Sequence, residues 1–177
     1  NNMRVARIGN PVLKQVAKPF TNEEILKPET KDLVNSMFIK MAEEDGIGLA
    51  APQVCVSKQL VIVHVPSDMW SPTPLKLALF NPKVKVNAGK TFQNWESCIS
   101  VPGYVGLVDR FDDIEVDFLD DTAKPRKLKV RGLYSGLLQH EIDHLNGLVY
   151  LWRITSGLKD KLFHLAEAED GNIPKLK

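Results

Sequence analysis

Cysteine is scarce in this sequence: Cys55 and Cys98 are the only two in 177 residues. Two thiols cannot frame a chain of this length, so stability must come from a packed core, and free thiols, one of them available as a metal ligand, are expected. Long apolar runs are missing as well. The longest, Leu60 to Val65, has the length of a strand and falls far short of a bilayer span. An excess of one charge is also lacking, since 23 Lys and Arg against 22 Asp and Glu leave a net +1. That balance removes the bulk electrostatic argument for binding nucleic acid or an anionic membrane. No repeat, low-complexity linker or targeting-type N-terminal segment is visible. The expectation is one domain over residues 1–177, in a cytoplasmic protein with no membrane or direct nucleic-acid partner.

What is present begins with an N-terminal stretch in which Val5, Ile8, Val12, Leu13 and Val16 surround the turn signal Gly9-Asn10-Pro11. It reads as an irregular arm. From Glu29 to Glu44, the residues Leu33, Val34, Met37, Phe38 and Met41 recur at spacings of three and four, which predicts an amphipathic helix after Pro28. Leu60 to Val65 predicts a buried strand. A loop spans Ser67 to Pro74, and strand resumes over Leu75 to Val86, broken at Asn81-Pro82. Ile114, Val116 and Phe118 alternate as the faces of a strand require, Asp120-Asp121 marks a turn, and a further helix is expected after Tyr150 through Leu158, Leu162 and Leu165.

The densest chemistry is His140-Glu141-Ile142-Asp143-His144. On a helix, positions i and i+4 share a face, so His140 and His144 can present two imidazoles to one ion. Glu141 then lies where its carboxylate can act on a water beside that ion, the HExxH arrangement of zinc-type hydrolases. Leu133, Leu137, Leu138 and Leu145 supply an apolar face, and Gly147 is placed to stop the helix. A catalytic metal needs a further protein ligand. The version of the motif with a third His after a Gly fails here, because Tyr150 occupies that position. Cys55, His64, Cys98, His164, Glu167 and Glu169 remain, and spacing alone does not decide among them. Cys98, in the polar-flanked run Glu96-Ser97-Cys98 before a Pro102-Gly103 turn, is favoured because two imidazoles and a thiolate with one open position suit zinc or ferrous iron.

Three segments, GIGLAAPQ (46–53), ESCIS (96–100) and HEIDH (140–144), together with an opening RIGNPVLKQVAKP, resemble the motifs of peptide deformylases in order and spacing. The resemblance implies an α+β fold with antiparallel β-sheets wrapped around a central metal-binding HExxH helix, an N-terminal helix and a C-terminal helix. It implies hydrolysis of the formyl group from N-terminal N-formylmethionine of new polypeptides, with the nascent chain, met at the ribosome, as partner. Carried over residue by residue, Cys98, His140 and His144 become the metal ligands and Glu141 the acid/base. Gln53 and the backbone N–H of Ile99 become the oxyanion donors. Gly46, Ile47, Gly48, Glu96, Tyr104, Gly136 and Leu137 become substrate-binding residues. The expected metal is Fe2+, with Zn2+, Ni2+ or Co2+ able to take its place. Bacterial cytoplasm is the expected setting, and an organelle matrix or a virus-encoded copy acting in a bacterial host fits the same sequence.

Four positions depart from the family pattern, one of them Ile99 in place of Leu, which preserves the backbone donor. Ser97 stands where relatives have Gly, and Val105 where many carry an Arg. Gly136, one turn before His140, replaces a larger apolar residue, which predicts a roomier methionine pocket partly filled by Tyr104. Two other readings remain: an HExxH peptidase with a different third ligand, and a non-catalytic binder of nascent-chain N-termini.

Overall fold

Buried and exposed residues alternate along the strand Val101–Leu119: Val108, Ile114, Val116 and Phe118 face inward while Asp109 and Asp117 face water. This strand, β4, belongs to a sheet that the computed structural model describes within residues 3–67, 74–154 and 161–164. β1 (Gly48–Ala50), β2 (Leu60–Val65), β3 (Leu75–Cys98), β4 and β5 (Pro125–Arg131) are neighbours in that order, all antiparallel, and β6 (Leu162–His164) adds to β4. The central helix α3 (Gly132–Leu145) buries Leu138, Ile142 and Leu145 against Val61, Val63, Ile114 and Val116 of the sheet. The architecture is α+β, with antiparallel sheet wrapped around the HExxH helix.

The predicted N-terminal helix is α2 (Pro28–Glu43), with Pro28 in its first turn and Met37 and Met41 fully buried. Ahead of it lies a short helix that the periodicity did not predict, α1 (Asn22–Leu26). Thr21 and Glu24 cap it reciprocally, each side chain accepting the other's backbone N–H.

The predicted break at Asn81-Pro82 is a bulge inside one continuous β3. Proline has no N–H for the ladder, and the register shifts between Phe80 and Lys83. Asn81, at φ +51, bonds the backbone of Phe20 on both sides, each at 2.8 Å. Gly147 stops α3 as expected, at φ +75, and a Cβ there would lie 2.5 Å from the Lys14 carbonyl oxygen. The stop is also a seam with the N-terminal arm.

At the other end Lys161 is helical, and Leu162 of the expected C-terminal helix belongs instead to β6, paired with Gly106. Leu158 and Leu165, like most of the loop expected over 67–74, lie outside the described residues. Among the described residues no helix is long and apolar enough to cross a membrane.

Candidate active site

One turn of α3 sets His140 and His144 side by side, ring centroids 5.3 Å apart. The end of β3 brings in Cys98, opposite Val101 where the chain turns into β4, with Sγ 3.5 Å from His144 Nε2. The three donor atoms lie within 4.8 Å of one another, and all three residues are buried. Among the described residues this is the one cluster of His, Cys and carboxylate groups able to hold a metal. The competing ligands lie elsewhere: Cys55 is an exposed free thiol, His64 is on β2 and His164 is on β6. Glu167 and Glu169 lie outside the described residues.

The donor set fits a divalent cation in chemistry as well as position. A thiolate and two imidazoles suit zinc or ferrous iron. His140 is drawn well towards its protonated form: burial opposes this, but the Cys98 and Glu96 contacts and the nearby Glu141 charge outweigh it. Burial, then the His140 charge, pushes His144 the other way.

Glu96 lines the cleft, and its carboxylate is engaged within the protein. Its Oε1 is 2.7 Å from His140 Nδ1, which fixes the ring so that Nε2 faces the cluster. Arg110 in turn grips both Glu96 oxygens, at 2.7 and 2.8 Å, and reaches Asp143 at 2.7 Å; Arg153 closes the chain on Asp143 from the surface. Burial works to raise the Glu96 carboxyl, but the Arg110 and His140 bonds prevail and bring it down to about 2. The periodicity of β4 holds a sign of this network. Arg110 shares the inward parity of Val108 and Ile114, a position that tolerates a cation only with a buried partner. Asp143 was hidden inside the HEIDH motif itself.

Glu141 is almost fully buried. Its Oε1 lies 3.6 Å from His140 Nε2, and its Oε2 has no hydrogen-bond partner among the described residues. Burial pushes its carboxyl up to about 7, with the His140 charge pulling the other way. A buried oxygen without a partner beside the ligand atoms is what a proton-transferring group in a substrate-free site presents.

Gln53 reaches the same point from a short 3-10 turn, Ala51–Val54, which ends at Cys55 in the left-handed region, φ +66. Its Oε1 accepts the Ala50 N–H at 2.9 Å, and this fixes which end of the amide faces the cluster. Nε2 then donates towards Cys98 Sγ at 3.3 Å and Ser100 Oγ at 3.2 Å.

The N-terminal arm braces this side of the site. Ala6 N–H donates to the Gln53 carbonyl at 2.7 Å and Ile8 N–H to the Ser100 carbonyl at 2.8 Å. Between them, the Arg7 guanidinium donates to the Ile99 carbonyl. Val105, where an arginine was missed, is buried, and a cation reaches the cleft from Arg7 instead.

These groups open into a cleft of about 780 Å³ lined by Gly46, Ile47, Gly48, Tyr104, Gly136 and Leu137, all predicted at the site. The expected roominess at Gly136 is not there. A Cβ on Gly136 would lie 2.8 Å from Asn94 Nδ2 and 3.4 Å from Phe92 Cζ, so strand β3 fills the gap. Tyr104 packs edge-on against His164, ring centroids 4.8 Å apart.

A buried Cys-His-His cluster with a free carboxylate on the same helix, at the wall of a cleft in an antiparallel α+β fold, defines a metal-dependent hydrolase. The chain belongs to the polypeptide deformylase family, whose profile matches residues 2–160. It is 38% identical over 151 residues to peptide deformylase 1 of Nostoc sp., covering 85% of this chain and 78% of that one. With the peptide deformylase of Leptospira biflexa it shares 34% over 171 residues, 94% of each chain. Among solved structures, the class I type b peptide deformylase of Acinetobacter baumannii with Met-Ala-Ser bound superposes with a TM-score of 0.80 at 30% identity, over 86% of this chain and 98% of that one. The Synechococcus elongatus enzyme in complex with actinonin gives a TM-score of 0.80 at 35% identity, over 89% of this chain and 83% of that one.

Proposed function

We propose that this protein hydrolyses the formyl amide at the N-terminus of new N-formylmethionyl polypeptides and releases formate. In this reading Cys98, His140 and His144 hold the metal, Glu141 moves the proton, and the Gln53 amide and the Ile99 N–H receive the oxyanion. The observation that carries it is the unpartnered Glu141 carboxylate oxygen beside three buried ligand atoms, in the wall of an open cleft.

A divalent metal on these ligands supplies a Lewis acid that polarises the formyl carbonyl and makes water acidic near neutrality. Glu141 accepts the proton of the attacking water. As the carbonyl oxygen gains charge, Gln53 Nε2–H turns to it from its long contacts with Cys98 and Ser100, a kind of donor worth about 3 kcal/mol in other hydrolases. Glu141 then gives its proton to the departing nitrogen, the C–N bond breaks, and formate and a free amino terminus leave.

Among the described residues β1 pairs only with β2, so its other edge is available for the peptide to add as a strand along Gly46–Gly48. Backbone pairing of that kind demands little of the residues after the first, which suits an enzyme acting on many nascent chains, at the ribosome and in the cytoplasm. Ferrous iron is the metal proposed, with zinc, nickel and cobalt able to bind the same ligands.

The test is formate release from formyl-Met-Ala-Ser by protein purified anaerobically with ferrous iron. No release from folded, metal-loaded protein would overturn the assignment.

A second expectation concerns Gly48. A Cβ there would lie 2.9 Å from Glu141 Cγ and from Leu137 Cδ1. Gly48→Ala should displace the carboxylate by a fraction of an ångström and lower kcat by roughly 10²-fold. Steady-state kinetics beside a melting curve checks this, since an unchanged melting temperature with full activity would refute it.

A further inference from the structure

Beside His140 the cleft is lined by Leu133, Leu137, Gly136 and Asn94, and a Cβ on Gly136 would lie 2.8 Å from Asn94 Nδ2. Gly136 is one turn before His140 on the same face of α3, so in the deformylase reading this stretch of the wall faces the side chain of the residue whose formyl group meets His140. Two leucines suit an unbranched chain of methionine's length. The wall at Gly136 is different in kind, because the space beside it is taken by the carboxamide of Asn94.

The orientation of that carboxamide is fixed. Asn94 Nδ2 donates to Glu96 Oε2 at 3.0 Å. A carboxylate held ionised by Arg110 only accepts hydrogen bonds, so the nitrogen end of the amide must face Glu96. Nδ2 has a second hydrogen, and Asn94 lines the cleft, half-buried. A thioether offers this N–H only a weak acceptor and displaces the water that would otherwise serve it. A strong acceptor at the position of the methionine sulfur satisfies it.

We propose that Asn94 is a specificity-determining residue that lets the site take formylated N-termini whose first residue is methionine sulfoxide as well as methionine. The sulfoxide keeps the length and flexibility of methionine and carries one oxygen at the sulfur, which accepts the second Asn94 N–H. Hydrolysis is unchanged: the same formyl C–N bond breaks, and the sulfoxide takes no part in it. The inference rests on the deformylase assignment and deepens it by naming a second substrate class.

The experiment compares kcat/KM for formyl-Met-Ala-Ser and for its methionine sulfoxide counterpart, with the natural protein and with the near-isosteric Asn94→Leu. The natural protein is expected to use the two peptides within about tenfold of one another, and Asn94→Leu to widen the gap by a further factor of roughly ten, through a higher KM for the sulfoxide. Taking the ratio within each protein cancels any general loss from the altered Glu96 contact, and Asn94→Ala supplies the same comparison should the leucine variant not fold. An equal ratio in natural and variant protein would overturn the proposal, and so would a thousandfold preference for methionine in the natural protein. No formate from either peptide would instead overturn the deformylase assignment itself.

Discussion

Replacing Glu141 by alanine is expected to lower kcat for formate release by about 10²- to 10⁴-fold while the purified protein keeps its full metal content. The two halves of this expectation come from different observations. Metal retention follows because the ligand cluster is Cys98, His140 and His144 and does not include Glu141. The rate loss follows because Glu141 Oε2 is buried without a partner, so no structural bond accounts for a carboxylate there. Glu141→Gln sharpens the comparison. It keeps the shape that packs on Gly48 but cannot take a proton, so it should be as slow as the alanine variant. A glutamine variant near full rate would make the role of this side chain steric and refute proton transfer. Metal stoichiometry and a formate assay on the same samples decide the matter.

The largest expected effect on stability is at Arg110. Arg110→Leu should destabilise the fold by about 3–5 kcal/mol, because it leaves Glu96 and Asp143 as buried carboxylates without their shared cation. Arg153 cannot compensate, since it reaches only Asp143 and its side chain is 46% exposed. The substitution also acts on the site. Glu96 would no longer be held against His140 Nδ1, and loss of such an orienting partner lowers metal affinity by roughly 10- to 100-fold. Arg110→Lys should recover only part of the loss, because an ammonium cannot fork across two Glu96 oxygens and reach Asp143 as well. Urea denaturation and metal titration on both variants measure the two effects separately. A loss below about 1 kcal/mol would mean that the network is as screened as a surface pair.

The helical site motif was legible because a single turn supplies its geometry: His140, Glu141 and His144 need nothing beyond local periodicity to converge. Cys98 was one candidate among six, since its place depends on where a long strand ends relative to α3. Glu96 was legible as a site residue but not in its role. Its partner Arg110 comes from the opposite strand, and pairing register cannot be read along one chain. The vacancy at Gly136 could be read, but Asn94 filling it could not, for the same reason. At Asn81-Pro82 the disruption was legible and its form was not, because a bulge and a strand end look alike until the partner strand is known. The capping pair Thr21 and Glu24 was readable in full and marks the helix that hydrophobic spacing alone overlooks.

The arm that braces Gln53, Ile99 and Ser100 also decides when the enzyme comes into being. Ala17 N–H donates to the Leu145 carbonyl, and Lys14 lies against Gly147, so residues made first are held by residues made late. The contact from Arg7 to Ile99 closes a loop of 92 positions. Loop closure of this length is slow and pays back only once both ends are in place. The bonds from the arm to Gln53, Ile99 and Ser100 join residues that all precede position 101, whereas the contacts that anchor the arm itself, at Leu145 and Gly147, wait for the HEIDH helix. The centre is therefore incomplete until α3 is made, since two of its three ligand residues, His140 and His144, and the contacts that anchor the arm all lie on or just after that helix.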